Sequence, residues 1–266
     1  MNFVKMQGIG NDYVYVDCFK ENVKNPSAAA RFVSDRRFGI GSDGLILICP
    51  SDVADCRMEM YNTDGSQGKM CGNGIRCVGK YLYDKGSTDK KQMRIETLSG
   101  IKNLTLRVLK NRVKTVSVDM GKAEVGDPIT LVIDHKAISL IPVSVGNPHA
   151  VIFVDDVQSV PLEALGSRIS RHEAFPDGVN VEFVEVLAEN QLRMRVWERG
   201  SGVTKACGTG ACASVMAAIF KNKSPLNQRI WVKLDGGTLE IEVQTDHSVR
   251  MTGPAETIFE GEIKQC

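Results

Sequence analysis

The chain carries the stretch MCGNG at residues 70–74 and the related stretch ACGTG at residues 206–210. Each stretch places a cysteine directly before a glycine-rich turn, and Cys71 and Cys207 lie 136 positions apart. Other residues repeat at this offset and in the same order: Gly10 and Gly146, Asn11 and Asn147, Ser34 and Ser170, Tyr61 and Trp197, Leu98 and Leu234. Several matches at one constant offset predict two copies of a single structural unit.

Each copy combines strand and helix patterns in the same order. A strand pattern at residues 13–16 or 151–154 opens the copy and precedes a helix that begins after Pro26 or Pro161. Further strands lead to the Cys-Gly-x-Gly turn and to a helix that is apolar on most sides and therefore buried. Late strands are expected to be antiparallel, for example residues 238–243 after a glycine-containing turn.

These patterns predict an α/β (α+β) fold with two pseudo-symmetric domains. Each domain is expected to be a mostly antiparallel or mixed β-sheet wrapped around a central helix. The first domain is predicted to comprise residues 1–115 with residues 255–266, and the second domain residues 116–254. The active site is expected in the cleft between them.

Composition excludes several classes of partner. The formal net charge of the 266 residues is +1, with no basic or acidic tail, so no nucleic-acid partner is expected. Apolar runs such as residues 45–49 are too short to span a membrane, and the first residues lack the pattern of an export signal. We therefore expect a cytoplasmic protein that acts on a small molecule, and the sequence leaves a homodimer open.

The chain contains eight cysteines, at positions 18, 49, 56, 71, 77, 207, 212 and 266. A chain of this length without an export signal is unlike a disulfide-stabilised secreted domain. The spacings of Cys71 to Cys77 and of Cys207 to Cys212 do not match a zinc knuckle, which argues against a metal site. Cys77 and Cys212 are predicted to be core residues inside helices. A disulfide between Cys71 and Cys207 is interpreted as an oxidative inactivation product.

A third glycine pattern carries no comparable function. Residues 39–44 match the G-x-G-x-x-G fingerprint of dinucleotide-binding proteins. That fingerprint follows a strand and opens a helix, whereas residues 39–44 precede a predicted strand. The context therefore excludes a dinucleotide site here.

A cysteine at the beginning of a helix has a defined electrostatic environment. The first backbone N–H groups of a helix lack intrahelical partners and carry partial positive charge. They are suited to bind a carboxylate and to stabilise a thiolate, so a lowered pKa is expected for Cys71 and Cys207. With one such helix start in each domain, a substrate carboxylate would lie between them, with one thiol on each face of the adjacent α-carbon.

This arrangement predicts a two-base amino-acid epimerase that needs no cofactor. One thiolate removes the α-proton, and the opposite thiol returns a proton on the other face. The backbone N–H groups stabilise the carbanionic intermediate through its carboxylate. A non-catalytic amino-acid-binding protein is the alternative of a different class, but binding requires only the N–H groups and not the two thiols.

Five longer segments carry a family resemblance. They read MCGNGIRC at residues 70–77, GNPH at 146–149, GVNVEF at 178–183, WERG at 197–200 and ACGTGAC at 206–212. With them, the chain resembles diaminopimelate epimerase from its first ten residues to about residue 256. The resemblance implies interconversion of LL-2,6-diaminopimelate and its meso isomer, a step toward lysine and peptidoglycan. It also implies that neither pyridoxal phosphate nor a metal takes part.

The resemblance also implies roles for individual residues. Cys71 and Cys207 would be the acid–base pair, and His149 and Glu198 would assist near the reacting centre. The reacting carboxylate would bind at Gly72, Asn73, Gly208 and Thr209. The rest of the substrate would be bound by Asn11, Asn62, Asn147, Asn180, Glu198 and Arg199. The chain departs from many members at Gly44, where they carry glutamine, so no substrate contact is assigned there.

Without the resemblance, these residues have simpler interpretations. Arg199 and Glu198 would form a surface ion pair, Asn147 before Pro148 would be a turn residue, and His149 would be a structural histidine. A proline or hydroxyproline racemase on the same fold is the main enzymatic alternative. The asparagine set and Arg199 favour a longer substrate with polar groups at both ends.

Overall fold

The computed structural model describes residues 1–264. Gln265 and Cys266 lie outside the described residues, and so do the end of the predicted segment 255–266 and the eighth cysteine. The chain divides into two compact units. Unit 1 comprises Met1–Val118 together with the chain from Gly253 onward, and unit 2 comprises Asp119–Thr252.

Within residues 1–264, four helices are distributed among nineteen strands. The helices are α1 Pro26–Ser34, α2 Gly72–Asp84, α3 Leu162–Ser170 and α4 Gly208–Phe220. The strands up to the middle of the chain are β1 Asn2–Gly8, β2 Asn11–Asp17, β3 Gly44–Cys49, β4 Cys56–Asn62, β5 Gln67–Gly68, β6 Gln92–Thr97, β7 Gly100–Leu109, β8 Arg112–Lys122 and β9 Glu124–Val125. The later strands are β10 Ile129–Ile133, β11 Lys136–Ser144, β12 Pro148–Phe153, β13 Asn180–Ala188, β14 Gln191–Glu198, β15 Gly202–Thr204, β16 Arg229–Leu234, β17 Gly237–Val243, β18 Ser248–Gly253 and β19 Glu256–Glu262.

The two units repeat the same strand pairings. In unit 1, β2 runs parallel to β3, and β4 runs parallel to β6. In unit 2, β12 runs parallel to β13, and β14 runs parallel to β16. The hairpins β3–β4 and β13–β14 and the pairs β6–β7 and β16–β17 are antiparallel. The predicted fold of two repeated domains with mixed sheets is confirmed.

Each sheet packs against one long, buried helix. Helix α2 contacts β1, β2, β7 and β19, and helix α4 contacts β9, β11, β12, β13, β14, β16 and β17. Helix α4 is buried over nearly its whole length, as its apolar sequence predicts. The shorter helices α1 and α3 cover the opposite sheet faces and join separate hydrophobic clusters there.

Helix α2 buries two cationic side chains, and each has hydrogen-bond partners. Arg76 is fully buried and donates from Nε to Pro254 O at 3.1 Å and from Nη1 to Gly72 O at 3.2 Å. Lys80 donates to Asp84 Oδ2 at 2.7 Å and to Val113 O at 3.0 Å. These contacts offset the desolvation of the charges.

The expectation that each copy opens with the strand at residues 13–16 or 151–154 is wrong. Strand β1 precedes the first of these strands, and strands β9, β10 and β11 precede the second. Strand β1 contains Lys5 and Gln7 and lacks a continuous apolar run. It forms a hairpin with β2, and β19 pairs with its other edge, which is a tertiary effect.

Because several thiols are buried, we expect the protein to lose stability in alkaline solution. Burial raises the pKa of Cys56 to about 12 and that of Cys77 to about 11. An unfolded cysteine ionises near pH ~8.5, so above that pH the unfolded chain loses protons that the folded chain retains. The free energy of unfolding therefore falls as the pH rises from about 8.5 toward 11.

We expect denaturant unfolding between about pH 8.5 and 10.5 to show this slope. In Cys56→Ala the slope should be shallower by up to about 1.4 kcal/mol per pH unit, because one proton no longer contributes. Identical slopes in the wild-type protein and in Cys56→Ala would contradict the assignment of this proton to Cys56.

Candidate active site

Cys71 and Cys207 are the N-cap residues of the two buried helices. Cys71 has φ −126° and ψ 119°, and its Sγ accepts the N–H of Gly74 at 3.3 Å. Cys207 has φ −121° and ψ 110°, and its Sγ accepts the N–H of Gly210 at 3.4 Å. The sulfur thus takes the place of the usual serine or aspartate oxygen of an N-cap. The two sequence motifs therefore produce the same local geometry in both units.

In unit 1, polar side chains from β2 surround Cys71. Its Sγ donates to Asn11 Oδ1 at 3.3 Å, and Asn73 Nδ2 donates to the same oxygen at 3.4 Å. Asn11 Nδ2 in turn donates to Asp43 Oδ2 at 2.7 Å. The hydroxyl of Tyr13 also interacts with the Cys71 thiol. Burial is the largest cause that raises the pKa of Tyr13 well above its usual value, and the Cys71 thiol is the second.

In unit 2, the group around Cys207 contains more ionisable side chains. Thr209 Oγ1 lies 3.6 Å from Cys207 Sγ and accepts from Asn147 Nδ2 at 3.3 Å. His149 Nε2 lies 3.1 Å from Asn147 Oδ1. The other ring nitrogen of His149, Nδ1, lies 2.7 Å from Glu182 Oε1, and both of these side chains are fully buried.

Glu198 completes the surroundings of Cys207. Its carboxylate accepts from the hydroxyl of Thr204 and interacts with the Cys207 thiol. Burial is the main cause that raises the pKa of Glu198, and the neighbouring Glu182 carboxylate adds to the effect. The structure thus brings Asn147, His149, Glu198 and Thr209 together at Cys207.

The expected lowering of the Cys207 pKa is wrong. Burial raises the pKa of this thiol well above its usual value, and the carboxylates of Glu198 and then Glu182 raise it further. Hydrogen bonds from Thr209 and from the N–H of Gly210 oppose these effects without cancelling them. Desolvation and two nearby carboxylates therefore outweigh the helix N-terminus, and Cys207 keeps its proton near neutral pH.

The remaining predicted residues have contacts of their own. Asn180 Nδ2 donates to Pro148 O at 3.1 Å, and Asn180 Oδ1 accepts from the backbone N–H of Arg199 at 2.9 Å. The guanidinium of Arg199 is exposed and donates from Nη1 to Asp177 O at 2.8 Å. Asn62, at the end of β4, donates to Ser66 Oγ at 3.0 Å.

Two residues of the site were not predicted from the sequence, Tyr13 and Glu182. The 136-residue offset contained a signal for both. It aligns Tyr13 with His149, so a polar ring lies beside the helix start in each unit. It aligns Ile46 with Glu182, so one unit carries a carboxylate where the other carries an apolar side chain.

Gly44 occupies a position that admits no side chain. A Cβ at this residue would lie 2.2 Å from Tyr61 O and 2.8 Å from Tyr13 Cε1. Gly44 begins β3, so the glycine pattern at residues 39–44 leads into a strand and does not follow one, in agreement with the exclusion of a dinucleotide site. The backbone of this chain therefore requires glycine at position 44.

Within residues 1–264, no group of three or more His, Cys, Asp and Glu side chains is arranged to hold a metal ion. The seven cysteines in this part of the chain are all free thiols. None of the described helices is both long enough and apolar enough to cross a membrane.

Comparison with known proteins identifies the family. The family model described as "Diaminopimelate epimerase" matches residues 3–126 and 141–258. The chain belongs to the diaminopimelate epimerase family. This result confirms the resemblance inferred from the paired cysteine motifs and places the chain among the isomerases.

Individual relatives span nearly the full length. The diaminopimelate epimerase of Acetivibrio thermocellus is 50% identical over 277 aligned positions, which cover 99% of this chain and 98% of the relative. The diaminopimelate epimerase of Methanococcus maripaludis is also 50% identical, with 99% of both chains covered. The family assignment therefore applies to both units.

Solved structures of lower sequence identity share the fold. A hydroxyproline epimerase from Agrobacterium vitis has a TM-score of 0.76 at 16% identity, covering 98% of this chain and 91% of its own. A Bacillus anthracis phenazine biosynthesis protein of the PhzF family has a TM-score of 0.78 at 16% identity, covering 99% and 98%. These similarities concern the architecture and support the mixed α/β fold with two repeated domains.

The glycines that follow the two cysteines predict unequal effects of one substitution. A Cβ at Gly210 would lie 2.6 Å from Glu182 Oε1, whereas a Cβ at Gly74 would lie 2.5 Å from Ile46 Cδ1. The methyl group of Ile46 is the free end of a flexible side chain, but the Glu182 oxygen is held by His149. Gly210→Ala should therefore cost about 1–3 kcal/mol of unfolding free energy, and Gly74→Ala less.

Urea unfolding of both variants beside the wild-type protein measures this difference. The prediction is wrong if Gly74→Ala is destabilised as much as Gly210→Ala.

Proposed function

We propose that this chain interconverts LL-2,6-diaminopimelate and meso-diaminopimelate by proton transfer at one α-carbon, with Cys71 and Cys207 as the two bases. The observation that carries the proposal is the matched N-cap position of these two cysteines on the two buried helices. Relatives named diaminopimelate epimerase that are 50% identical over nearly the full chain support the substrate.

In the proposed mechanism, the reacting carboxylate binds the backbone N–H groups at Gly72, Asn73, Gly208 and Thr209. These donors are oriented by the helices before the substrate arrives, so they stabilise the negative charge that develops on the carboxylate. One thiolate removes the α-proton, and the opposing thiol protonates the planar carbanion from the other face. The two cysteines exchange roles for the other stereoisomer.

The raised proton affinity of Cys207 suits the role of proton donor. Burial, and then the carboxylates of Glu198 and Glu182, keep this thiol protonated in the free protein, so it is ready to donate. After donation, the same carboxylates disfavour a persistent thiolate and favour the return of a proton. Glu198 therefore acts by adjusting the charge around Cys207, and His149 is proposed to assist there through its contact with Asn147.

The non-reacting end of the substrate is proposed to bind Asn11, Asn62, Asn147, Asn180 and Arg199. Arginine can form a bidentate pair of hydrogen bonds with a carboxylate. Asparagine provides both a donor and an acceptor, which can distinguish stereoisomers. Arg199 and Asn180 are joined through the Arg199 N–H, so they form one unit of recognition. This set favours a substrate with two amino-acid ends over proline or hydroxyproline.

The remaining predictions follow from this function. We propose a cytoplasmic enzyme in the formation of lysine and peptidoglycan precursors, with a small molecule as its partner. The domain division at 115/116 and 254/255 and the homodimer stay predictions, and limited proteolysis and sedimentation velocity would test them.

The decisive experiment is a cofactor-free isomerisation assay. The purified protein, treated with a chelator and a thiol reductant, is incubated with LL-diaminopimelate in deuterated water beside proline, hydroxyproline, glutamate and lysine. We expect the meso isomer to form, with deuterium at the inverted carbon, and no change in the other amino acids. Epimerisation of proline but not of diaminopimelate would establish the alternative racemase function and overturn the proposal.

A further inference from the structure

Glu182 is a fully buried carboxylate on the central strand β13. Its strand neighbours Val181 and Phe183 join the hydrophobic cluster on the α3 side of the sheet. Because side chains alternate along a strand, Glu182 lies on the other face, which packs against α4. The side chain therefore points toward the helix that begins after Cys207.

Packing in this position does not require a charge. In unit 1, the aligned residue Ile46 contacts the first turn of α2 near Gly74, as Glu182 contacts the first turn of α4 near Gly210. The repeated architecture thus accepts an apolar side chain of similar size here. Burial of a carboxylate costs several kcal/mol unless it is compensated. Packing alone therefore does not explain why unit 2 carries Glu182 at this position.

The hydrogen-bond contacts of Glu182 indicate a function for its carboxylate. Oε1 lies 2.7 Å from His149 Nδ1, and within residues 1–264 the other oxygen, Oε2, has no hydrogen-bond partner. An ionised carboxylate can only accept, so the proton at this contact belongs to Nδ1 of the ring. The ring is thereby oriented with Nε2 toward the acceptor oxygen Oδ1 of Asn147, whose amide nitrogen donates to Thr209 beside Cys207.

We propose that Glu182 is a positioning residue that acts through His149: it holds the Nδ1 proton, directs Nε2 toward the substrate-binding residues, and makes the Cys207 half-site electrostatically different from the Cys71 half-site. This inference rests on the proposed epimerase function. The ionisable groups that face Glu182 are His149 from β12, Glu198 from β14 and Cys207 at the start of α4.

The first test measures His149 in the protein without substrate. Long-range proton–nitrogen NMR spectra of protein labelled in its four histidines report which ring nitrogen carries a proton, and His149→Gln identifies the His149 signals. We expect protonated Nδ1 in the wild-type protein. In Glu182→Ile, which copies the residue of unit 1, the acceptor at Nδ1 is lost and Asn147 Oδ1 remains beside Nε2, so we expect the proton on Nε2 and none on Nδ1.

The second test measures Cys207 with iodoacetamide and peptide mass spectrometry across a pH series. A neighbouring negative charge raises the pKa of a thiol, so its removal should increase the thiolate fraction at a given pH. In Glu182→Gln we expect alkylation of Cys207 at neutral pH to be about three- to tenfold faster, while that of Cys71 stays unchanged. The rate constant kcat/KM should fall by about 10- to 100-fold, as expected for loss of one charge-assisted hydrogen bond.

Glu185→Gln, on the same strand, is the matched control, because its carboxylate accepts only from the N–H of Val157 among the hydrogen bonds of the described residues. The inference is overturned if folded Glu182 variants leave the His149 spectrum and the Cys207 alkylation profile as they are in Glu185→Gln. Both measurements use protein without substrate. A wild-type protein that fails to epimerise diaminopimelate would overturn the proposed function while leaving these two results interpretable.

Discussion

Alanine at Cys71 or at Cys207 is expected to lower the rate of diaminopimelate epimerisation by about 10²- to 10⁴-fold, the range for loss of one general acid or base. Both thiols are required in each direction, because one accepts and the other donates a proton on the opposite face. The two single variants should therefore be similarly impaired, and the double variant should lose little more, since the residues act as a unit. Conversion of the LL to the meso isomer, followed by chromatography, measures the effect.

The matched control for this experiment is Cys18→Ala. Cys18 is a partly buried thiol outside both helix starts, and it contacts Cys49. This variant should retain wild-type kcat, and all variants should unfold in a single thermal transition. Retention of full activity by either Cys71→Ala or Cys207→Ala would contradict the two-base mechanism.

Arg199→Met is expected to reduce kcat/KM for diaminopimelate by about 100-fold, which corresponds to about 3 kcal/mol. The guanidinium is proposed to bind the distal carboxylate with two hydrogen bonds, and methionine removes both. Because the side chain is exposed and its only described side-chain contacts are with the carbonyls of Asp177 and Gly178, the fold should be preserved. Steady-state kinetics with both stereoisomers would give the effect on KM and kcat separately.

Two comparisons sharpen the Arg199 test. Arg199→Lys restores the charge without the planar fork and should recover only part of the loss. Arg171→Met removes another exposed arginine of unit 2, at the end of α3, and should leave kcat/KM unchanged. Equal activity of Arg199→Met and Arg171→Met would show that the distal carboxylate is bound elsewhere.

Sequence reasoning reached the elements whose residues carry strong local signals. Helix α4 is apolar on nearly all sides, and the Cys-Gly-x-Gly turns place N-cap and glycine residues together, so both helix starts were predictable. Strand β1 was missed because polar residues interrupt its apolar pattern and one of its two partners, β19, lies near the other end of the chain. Lys5 illustrates the difficulty, since it interrupts the apolar pattern of β1 and forms an ion pair with Asp12 on β2.

The electrostatics of the site were predicted less well. A helix start on its own lowers a thiol pKa, and that local rule failed for Cys207, which three-dimensional packing surrounds with Glu182 and Glu198. Glu182 precedes Cys207 by 25 residues, so no local pattern connects them. Tyr13 was missed for the same reason, because its contact with Cys71 links a strand to a distant helix.

The repeat and the paired motifs fixed the family, the two-unit architecture and the equivalence of Cys71 and Cys207. These properties depend on residue identity and spacing along the chain, which are readable before folding. The charge around each thiol was decided by packing, because desolvation and Coulomb interactions depend on distances in space. Two cysteines in nearly identical sequence contexts thus have different surroundings, with Asn11 and Tyr13 beside Cys71 and with Glu182 and Glu198 beside Cys207.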